Sequence, residues 1–404
     1  MPIFKGGQPS ITIFSIKSNF IHSINRWRLK IFHIFVPITI AYFLWEMRKI
    51  LALVAALLCC FTTYSQEDNR TSNIPTLVIT PRFDVNPYIP IGGKESFGVG
   101  FGNTSLYTLF EGSVGENFSY SMSNHWLSTD PASLYQNAFR SDDVDFIDWL
   151  TLSYSVGDVT FTIGKDMLAI GGWELDPMDV DQHTDLCSAF WNNIAIYQWG
   201  GRVEYTTPSE NSSLAFQFAT SPFAEYPFAG KLFTYSLVWY GSFGCYEPIW
   251  SANMMEYERG RFLSIISLGN RFSFGDFALE VDYMNRSASL DKFFNQEMSL
   301  VGKFSYNYRD KLNVFVKGGY EYCHGSDMFG WEAEDYSFVP TMILPERDYI
   351  FYGAGIEYFP LRNSQDLRIH AVAAANNYAN SVSLSLGVTY NFNLTETILK
   401  HRKK

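Results

Sequence analysis

Apolar and polar residues alternate one by one along several segments of the chain. From position 382 to 394 every second residue is apolar or aromatic, and the residues between them are glycine or small and polar. Successive side chains of a β-strand point to opposite faces of a sheet, so this period of two predicts a strand and excludes a helix. The apolar set is Val382, Leu384, Leu386, Val388, Tyr390, Phe392 and Leu394.

The same period recurs upstream, and the charged residues keep to one face. In segment 312–322, Lys317 and Glu321 alternate with Val316 and Tyr320, and Phe315 is the one exception. Counting such segments predicts about sixteen strands, an even number, as bacterial barrels require. The predicted strands are 76–88, 96–110, 116–126, 149–156, 158–165, 196–206, 213–220, 231–240, 243–250, 262–270, 276–286, 297–308, 312–322, 349–358, 367–376 and 381–393.

Composition turns this pattern into a fold class. Aromatic residues make up 17% of the chain, yet no apolar run after the N-terminal region is long enough for a helix to cross a bilayer. Strands with one polar and one apolar face, the apolar one ending in aromatics, fit a wet lumen and a lipid-facing wall. We therefore predict an all-β transmembrane antiparallel β-barrel of about sixteen strands. A secreted β-sandwich is the alternative, but its strands would normally be shorter.

Parity assigns the connections to the two sides of the membrane. Short periplasmic turns are predicted at 111–115, 157–158, 207–212, 271–275, 309–311 and 359–366, and Gly157-Asp158 is typical of a tight hairpin. Longer external loops are predicted at 127–148, 166–195, 251–261, 287–296 and 323–348. The strand at 243–250 is inferred mainly from parity, because without it the long loops would fall on both sides.

The N-terminal region predicts secretion. Residues 47–65 combine Arg48 and Lys49, an apolar stretch and small residues before Gln66, as in a signal peptide. Residues 1–46 are interpreted as an upstream extension from a wrongly assigned start, with an inner-membrane anchor as the alternative. A short periplasmic segment 66–75, the barrel 76–394 and a basic tail 395–404 complete the predicted organisation, which places the protein in a Gram-negative outer membrane with its lipid and lipopolysaccharide.

Charge and metal-ligand spacing limit the partners. Without residues 1–65 the chain keeps 23 basic and 40 acidic residues, a balance that argues against nucleic acid. The histidines of this part, His125, His183, His324, His370 and His401, do not stand at metal-ligand spacing, so no metal and no cofactor is predicted.

Three short stretches suggest a family. They are Phe161-Thr162-Ile163-Gly164-Lys165, Gly171-Gly172-Trp173-Glu174 and Tyr197-Gln198-Trp199-Gly200-Gly201. This region resembles the phosphate-selective porin O and P family, and the resemblance implies a sixteen-stranded homotrimeric channel that selects anions.

The residues predicted to face the lumen carry both signs of charge. They are Arg202, Glu204, Glu280, Asp282, Lys303, Lys317, Glu321, Glu357, Arg368 and His370. Loop 166–195 is expected to fold inward and narrow the pore, with Lys165, Glu174, Asp176, Asp179 and Asp181 as constriction candidates. Such an acidic loop would favour cations or neutral solutes. Alternatively, its acids solvate an external loop or hold divalent ions near lipopolysaccharide.

The sequence thus favours a porin that passes small hydrophilic solutes or ions without catalysis. One alternative is an adhesin or structural barrel with aromatic loop 323–348 as its binding surface. The other is an outer-membrane hydrolase, in which His370, predicted to face the lumen, would need a serine and an acid beside it.

Overall fold

The alternating segments form strands in the computed structural model of the chain. The structure describes residues 74–91, 97–128, 147–224, 231–288, 294, 297–323, 348–377, 379 and 381–402. The strands of the first half are β1 Thr76–Pro90, β2 Gly98–Gly100, β3 Ser105–Val114, β4 Phe118–Ser128, β5 Ile147–Val156, β6 Val159–Met167, β7 Tyr197–Thr206, β8 Ser212–Thr220 and β9 Phe233–Gly241. Those of the second half are β10 Tyr246–Glu258, β11 Arg261–Phe274, β12 Phe277–Ser287, β13 Glu297–Tyr308, β14 Leu312–Cys323, β15 Asp348–Tyr358, β16 Leu367–Asn376, β17 Ser381–Tyr390 and β18 Phe392–Asn393. The two α-helices are α1, Ala189–Asn193, and α2, Leu394–Arg402.

These segments make one closed antiparallel barrel. Neighbours along the chain are paired from β3 to β17, and β1 pairs with β17 so that Arg82 lies opposite Thr389. β2 and β3 both pair with β1 and act as one interrupted strand, as do β17 and β18. The described residues therefore form the sixteen strands that the sequence predicts, and closure leaves no open sheet edge in the wall.

The outer surface of the barrel is apolar. Along β6 and β7, Phe161, Ile163, Val203 and Tyr205 are exposed, while Thr162 between the first two points inward and is buried. Aromatic rings pair near the short turns, for example Phe118 with Tyr154, whose centroids are 4.6 Å apart. An apolar band ended by aromatics is the surface that a barrel presents to lipid.

The short turns match the local sequence. Gly157 and Gly275 both have positive φ, 54° and 63°, and each begins a two-residue connection with an aspartate. Glycine adopts this conformation without the steric penalty of a Cβ atom. No helix among the described residues is long and apolar enough to cross a membrane.

Several predicted boundaries are wrong. The strand inferred by parity at 243–250 exists but extends to Glu258, so the predicted loop 251–261 is mostly strand and only 259–260 remains as a turn. The reason is that alternation continues, with Ala252 and Met254 outward and Asn253 inward. The turn 271–275 likewise shrinks to Gly275-Asp276, since β11 reaches Phe274.

Other differences lie near the chain ends. The predicted strand 96–110 is interrupted between Gly100 and Ser105 and extends to Val114, and Leu394, expected in the last strand, begins α2. Most of the predicted loops 127–148, 287–296 and 323–348 lies outside the described residues, as do segments 1–46, 47–65 and most of 66–75.

Candidate channel lumen

The segment between β6 and β7, residues 168–196, folds into the barrel. We name it the inner loop. It contains 3-10 turns at Asp179–Asp181 and Thr184–Leu186 and the short helix α1. The Gly171 N–H donates to Ser251 Oγ at 2.7 Å, and Ser267 Oγ donates to the Gly171 carbonyl at 2.6 Å. Because these serines lie on the inner faces of β10 and β11, the loop crosses to strands distant from its own stem.

One half of the inner loop is held by apolar packing. Leu168, Ile170, Leu175, Phe190 and Trp191 are buried with Ile194 and Ile196 against the wall residues Met255, Leu263, Ile265 and Met284. Burial of a side chain of this size contributes about 1.5–3 kcal/mol. The sequence analysis missed this cluster, although β11 carries a signal for it: its inner face has Leu263 and Ile265 where a wet lumen would need polar residues.

The backbone of this half lies almost in contact with the wall. A Cβ atom on Gly269 of β11 would come within 2.6 Å of the Gly172 Cα atom. One on Gly171 would come within 2.6 Å of the Ile249 carbonyl oxygen. Glycine at these positions therefore permits the close approach of loop and wall.

Wall carboxylates accept the loop's buried N–H groups. Asp282 of β12 accepts from the Trp173 and Glu174 backbones at 3.0 and 2.7 Å. Glu321 of β14 accepts from the Ala189 N–H at 2.5 Å. Both residues face inward, and the inner loop covers them, so they fix its position.

The tip of the inner loop is held by polar contacts. Arg82 of β1 donates to the Val180 and Gln182 carbonyls at 2.8 and 2.9 Å, and Arg368 of β16 contacts the Asp181 carboxylate at 3.2 Å. His183 lies 3.2 Å from a Glu357 oxygen. Burial lowers the pKa of His183 to about 4, although the hydrogen bond that its ring makes to the Glu357 carboxylate acts in the opposite direction, so the ring is neutral at pH 7.

Basic side chains on the inner wall are paired with carboxylates. Lys317 lies 2.8 Å from Glu174, and Lys303 lies 3.5 Å from Glu280. The remaining pairs are Arg82–Asp84, Arg202–Asp166, Arg202–Glu204, Arg271–Glu247, Arg271–Glu280, Arg286–Glu297, Arg286–Glu321, Arg368–Asp181 and Arg368–Glu357. The charged side chains of the inner wall are therefore organised as ion pairs.

The constriction candidates are distributed over loop and strand. Lys165 lies in β6 and not in the loop; it is opposite outward-facing Leu150, and its ammonium donates to the Ile147 carbonyl. Asp176 is exposed inside the barrel, and Asp179 and Asp181 form the first 3-10 turn. Glu174 pairs with Lys317, as described above. Asp166, predicted at the start of the loop, also lies in β6.

The histidine of the hydrolase alternative is buried in the wall. His370 Nε2 lies 2.7 Å from Asp84 Oδ1 and 3.2 Å from Ser385 Oγ. A proton relay from serine through histidine to aspartate needs the two ring nitrogens to contact different partners. Here one nitrogen makes both contacts, so this geometry does not support nucleophilic catalysis. Among the residues that the structure describes, no group of three or more His, Cys, Asp or Glu is arranged to hold a metal ion.

These features define the class of protein: a closed sixteen-stranded antiparallel β-barrel of the transmembrane type, with a loop folded inside it. No family model and no curated protein matches the chain. Several solved structures are similar to it.

The similar structures are outer-membrane barrels. OmpT of Vibrio cholerae in its trimer form and a variant of it lacking loop L8 each have a TM-score of 0.51 and 11% identity, covering 79% of this chain and 99% of theirs. An anion-selective porin from Comamonas acidovorans has a TM-score of 0.48 and 11% identity over 79% of this chain and all of its own. At this identity the likeness to OmpT shows a shared fold.

Proposed function

We propose that the protein is an outer-membrane porin through which small hydrophilic solutes or ions diffuse passively. The observation that carries this proposal is the barrel interior: a closed wall, apolar outside, surrounds a space with charged side chains that one inward-folded loop narrows. A channel needs such a polar path across the membrane, and its width and charge set its selectivity. The geometry of His370 gives no support to the hydrolase alternative. We therefore propose that the protein is not an enzyme.

We further propose a weak preference for cations over phosphate. Rows of accessible basic side chains would be needed to replace the hydration shell of an anion. The inward bases are in ion pairs, and the most exposed of them, Arg271, has a side-chain exposure of 35%. Three carboxylates of the inner loop, Asp176, Asp181 and Asp185, are exposed, and Asp181 is so even though it contacts Arg368. These carboxylates are therefore more accessible to a passing ion than the paired bases are.

Planar-bilayer recordings with purified protein test both proposals. We expect stable conductance steps, a reversal potential in a KCl gradient of the sign that cation preference requires, and no block by phosphate. The double variant Asp176→Asn/Asp185→Asn should move the reversal potential toward zero. Glu116→Gln removes one charge at a short turn and should leave it unchanged. Absence of conductance from a folded barrel would contradict the porin proposal. A preference for anions together with block by phosphate would contradict the cation proposal.

The resemblance to the phosphate-selective porin O and P family supports a finer proposal for architecture: membership in that family and a homotrimer, without the anion selectivity that the resemblance implies. OmpT of Vibrio cholerae, whose fold is similar, has been solved in a trimer form. Cross-linking in native membranes should give a ladder that ends at three subunits. Secretion through signal peptide 47–65, with Gln66 as first mature residue, is also proposed; mass spectrometry of the mature N-terminus tests it. The adhesin alternative depends on loop 323–348, most of which lies outside the described residues.

A further inference from the structure

One sector of the inner wall is lined by hydroxyl groups. Leu152, Tyr154 and Phe161 of β5 and β6 are exposed on the outer surface, so the residues between them in sequence face inward. The first inward positions next to the short turns, on these two strands and on β4, are all serine or threonine. We name this set the hydroxyl wall; its members are Ser119, Ser121, Thr151, Ser153, Ser155, Thr160 and Thr162.

The strand register brings these hydroxyls side by side. Ser119 lies directly opposite Ser153, and Ser153 lies directly opposite Thr162. The Ser153 and Thr162 hydroxyl oxygens are 2.9 Å apart, and those of Ser155 and Thr160 are 3.0 Å apart. Because neighbouring strands are about 4.7–4.9 Å apart, a small solute can reach hydroxyls of more than one strand at once.

Most of the hydroxyl wall is accessible. Ser119 is exposed, and the other members are partly exposed, apart from Thr162, which is buried. The inner loop is attached elsewhere, because its hydrogen bonds and apolar contacts reach β8, β10 to β16 and β1. The path that the loop leaves open is therefore bounded on one side by the hydroxyl wall.

The wall hydroxyls keep hydrogen-bonding capacity for a solute. Each hydroxyl has one donor and two acceptor lone pairs. The bond between Ser155 and Thr160 uses one donor and one lone pair, so these two residues together retain one donor and three lone pairs. Such a surface can both donate and accept, and it carries no charge.

Charged side chains stand at the two edges of the hydroxyl wall. On one edge, Glu111 of β3 accepts a hydrogen bond from Ser121. On the other edge, the Arg202 guanidinium of β7 lies 3.5 Å from the Asp166 carboxylate and 3.8 Å from that of Glu204. A solute on the hydroxyl wall therefore meets neutral donors and acceptors, whereas a solute beside the inner loop meets ion pairs.

We propose that the hydroxyl wall guides uncharged polyhydroxylated solutes, such as monosaccharides, through the barrel. A sugar gives up hydrogen bonds to water when it enters a narrowed pore, and wall hydroxyls that both donate and accept replace them. An ion or a zwitterion needs opposite charge in place of its hydration shell, which this wall does not supply. The inference rests on the proposed porin function and names its solute class.

Swelling of proteoliposomes that contain the purified full-length protein tests the proposal. Arabinose and glutamine are close in mass, but arabinose is neutral and carries several hydroxyls, whereas glutamine is a zwitterion without a hydroxyl. We expect arabinose to enter about threefold faster, a factor within the range of one net hydrogen bond between neutral groups. Equal rates, or faster entry of glutamine, would overturn the proposal.

A triple variant assigns the effect to the wall. Ser119→Ala/Ser155→Ala/Thr160→Val removes three accessible hydroxyls, and it removes both members of the Ser155–Thr160 bond, so neither is left without its partner. Arabinose entry should fall about threefold, the loss of one net hydrogen bond, while glutamine entry stays unchanged. Ser209→Ala removes a hydroxyl at an exposed turn and should change neither rate. An undiminished ratio of arabinose to glutamine entry in the triple variant would overturn the proposal.

An exchange variant separates the hydroxyl groups from packing. Ser155→Thr/Thr160→Ser keeps both hydroxyls and the total side-chain volume, so it should keep the natural ratio of the two entry rates. A loss as large as in the triple variant would show that packing sets the rate of sugar entry, which contradicts the proposal.

Bilayer recordings in KCl separate this inference from the porin function. Conductance together with equal entry of arabinose and glutamine would leave the porin proposal intact and overturn the sugar path. A folded barrel without conductance and without entry of either solute would overturn both. We expect conductance steps from the natural protein and from the triple variant.

Discussion

Arg286 is fully buried between two carboxylates and therefore determines local stability. Its guanidinium lies 2.5 Å from Glu297, 3.4 Å from Glu321 and over the Phe190 ring of the inner loop. Arg286→Met would leave two buried carboxylates without their cation, a loss of about 3–5 kcal/mol in the free energy of unfolding. Urea unfolding in detergent should show this as a lower midpoint.

A triple variant distinguishes charge from packing at this position. Arg286→Met/Glu297→Gln/Glu321→Gln removes the cation and both anions together, and we expect it to recover most of the lost stability. If the triple variant is as unstable as Arg286→Met alone, the loss comes from packing against Phe190 and the electrostatic explanation is wrong.

His183 makes the inner-loop tip sensitive to acid. Burial lowers its pKa from 6.5 to about 4, and its surroundings include Glu357, Arg82 and His370. A histidine in the unfolded chain or in a detached loop tip binds protons more readily than the buried His183 does. The docked loop tip therefore loses stability as the pH falls from about 6.5 toward 4. Hydrogen-exchange protection of residues 179–186, corrected for intrinsic rates, should therefore fall over this range.

The matched variant for this prediction is His183→Gln. Glutamine keeps a donor for Glu357 but does not titrate between pH 4 and 6.5, so the protection of the tip should lose most of its pH dependence. An unchanged pH profile in this variant would assign the effect to the carboxylates Asp181 and Glu357.

At the scale of the element, the inner loop packs closely against Gly269 of β11. A substitution at this glycine tests the close packing without removing any contact. Gly269→Ala would place a methyl group 2.6 Å from the Gly172 Cα atom, so residues 171–174 must move away from the wall. We expect a loss of about 1–3 kcal/mol, as for other overpacked sites, and an altered single-channel conductance.

Gly302→Ala is the control for the strand propensity of alanine. Gly302 lies on β13, and the nearest atom to its added Cβ would be 3.9 Å away. Stability and conductance should stay as in the natural protein. Identical behaviour of the two variants would show that the contact between Gly269 and Gly172 does not position the loop.

The path of the inner loop was predictable only in outline. Its length made it the candidate to fold inward, whereas its acidity was equally compatible with an external loop. The sequence did not reveal that Asp282 and Glu321 would serve as acceptors for loop N–H groups, because alternation gives the face of a residue but not what covers it. Apolar residues such as Leu263 on a face expected to be wet were the available signal.

At the scale of the whole molecule, alternation together with parity was sufficient to predict a closed barrel of sixteen strands. The prediction of strand ends failed where a strand is longer than expected, as in β10, which continues past position 250 through Met254. Parity alone cannot determine where a strand ends. The prediction also failed at Leu394, because an apolar residue in step with the pattern can equally begin a helix.

A closed ring of paired strands should unfold cooperatively. No strand can leave without breaking two ladders, so partial states are costly. We expect far-ultraviolet circular dichroism and tryptophan fluorescence to give coincident urea transitions. Separate transitions would indicate that the inner loop, which carries Trp173 and Trp191, detaches before the wall opens.

The attachment of the loop tip to Arg82 and Arg368 has a consequence for the order of assembly. Arg82 lies on the first strand and Arg368 near the end of the chain, so the tip is held by both sides of the seam where the ring closes. The apolar half of the loop can dock on β10 to β12 while the sheet is still open, but the tip finds both partners only as the first and last strands meet. We therefore expect the tip of the loop to dock last, when β1 and β17 pair.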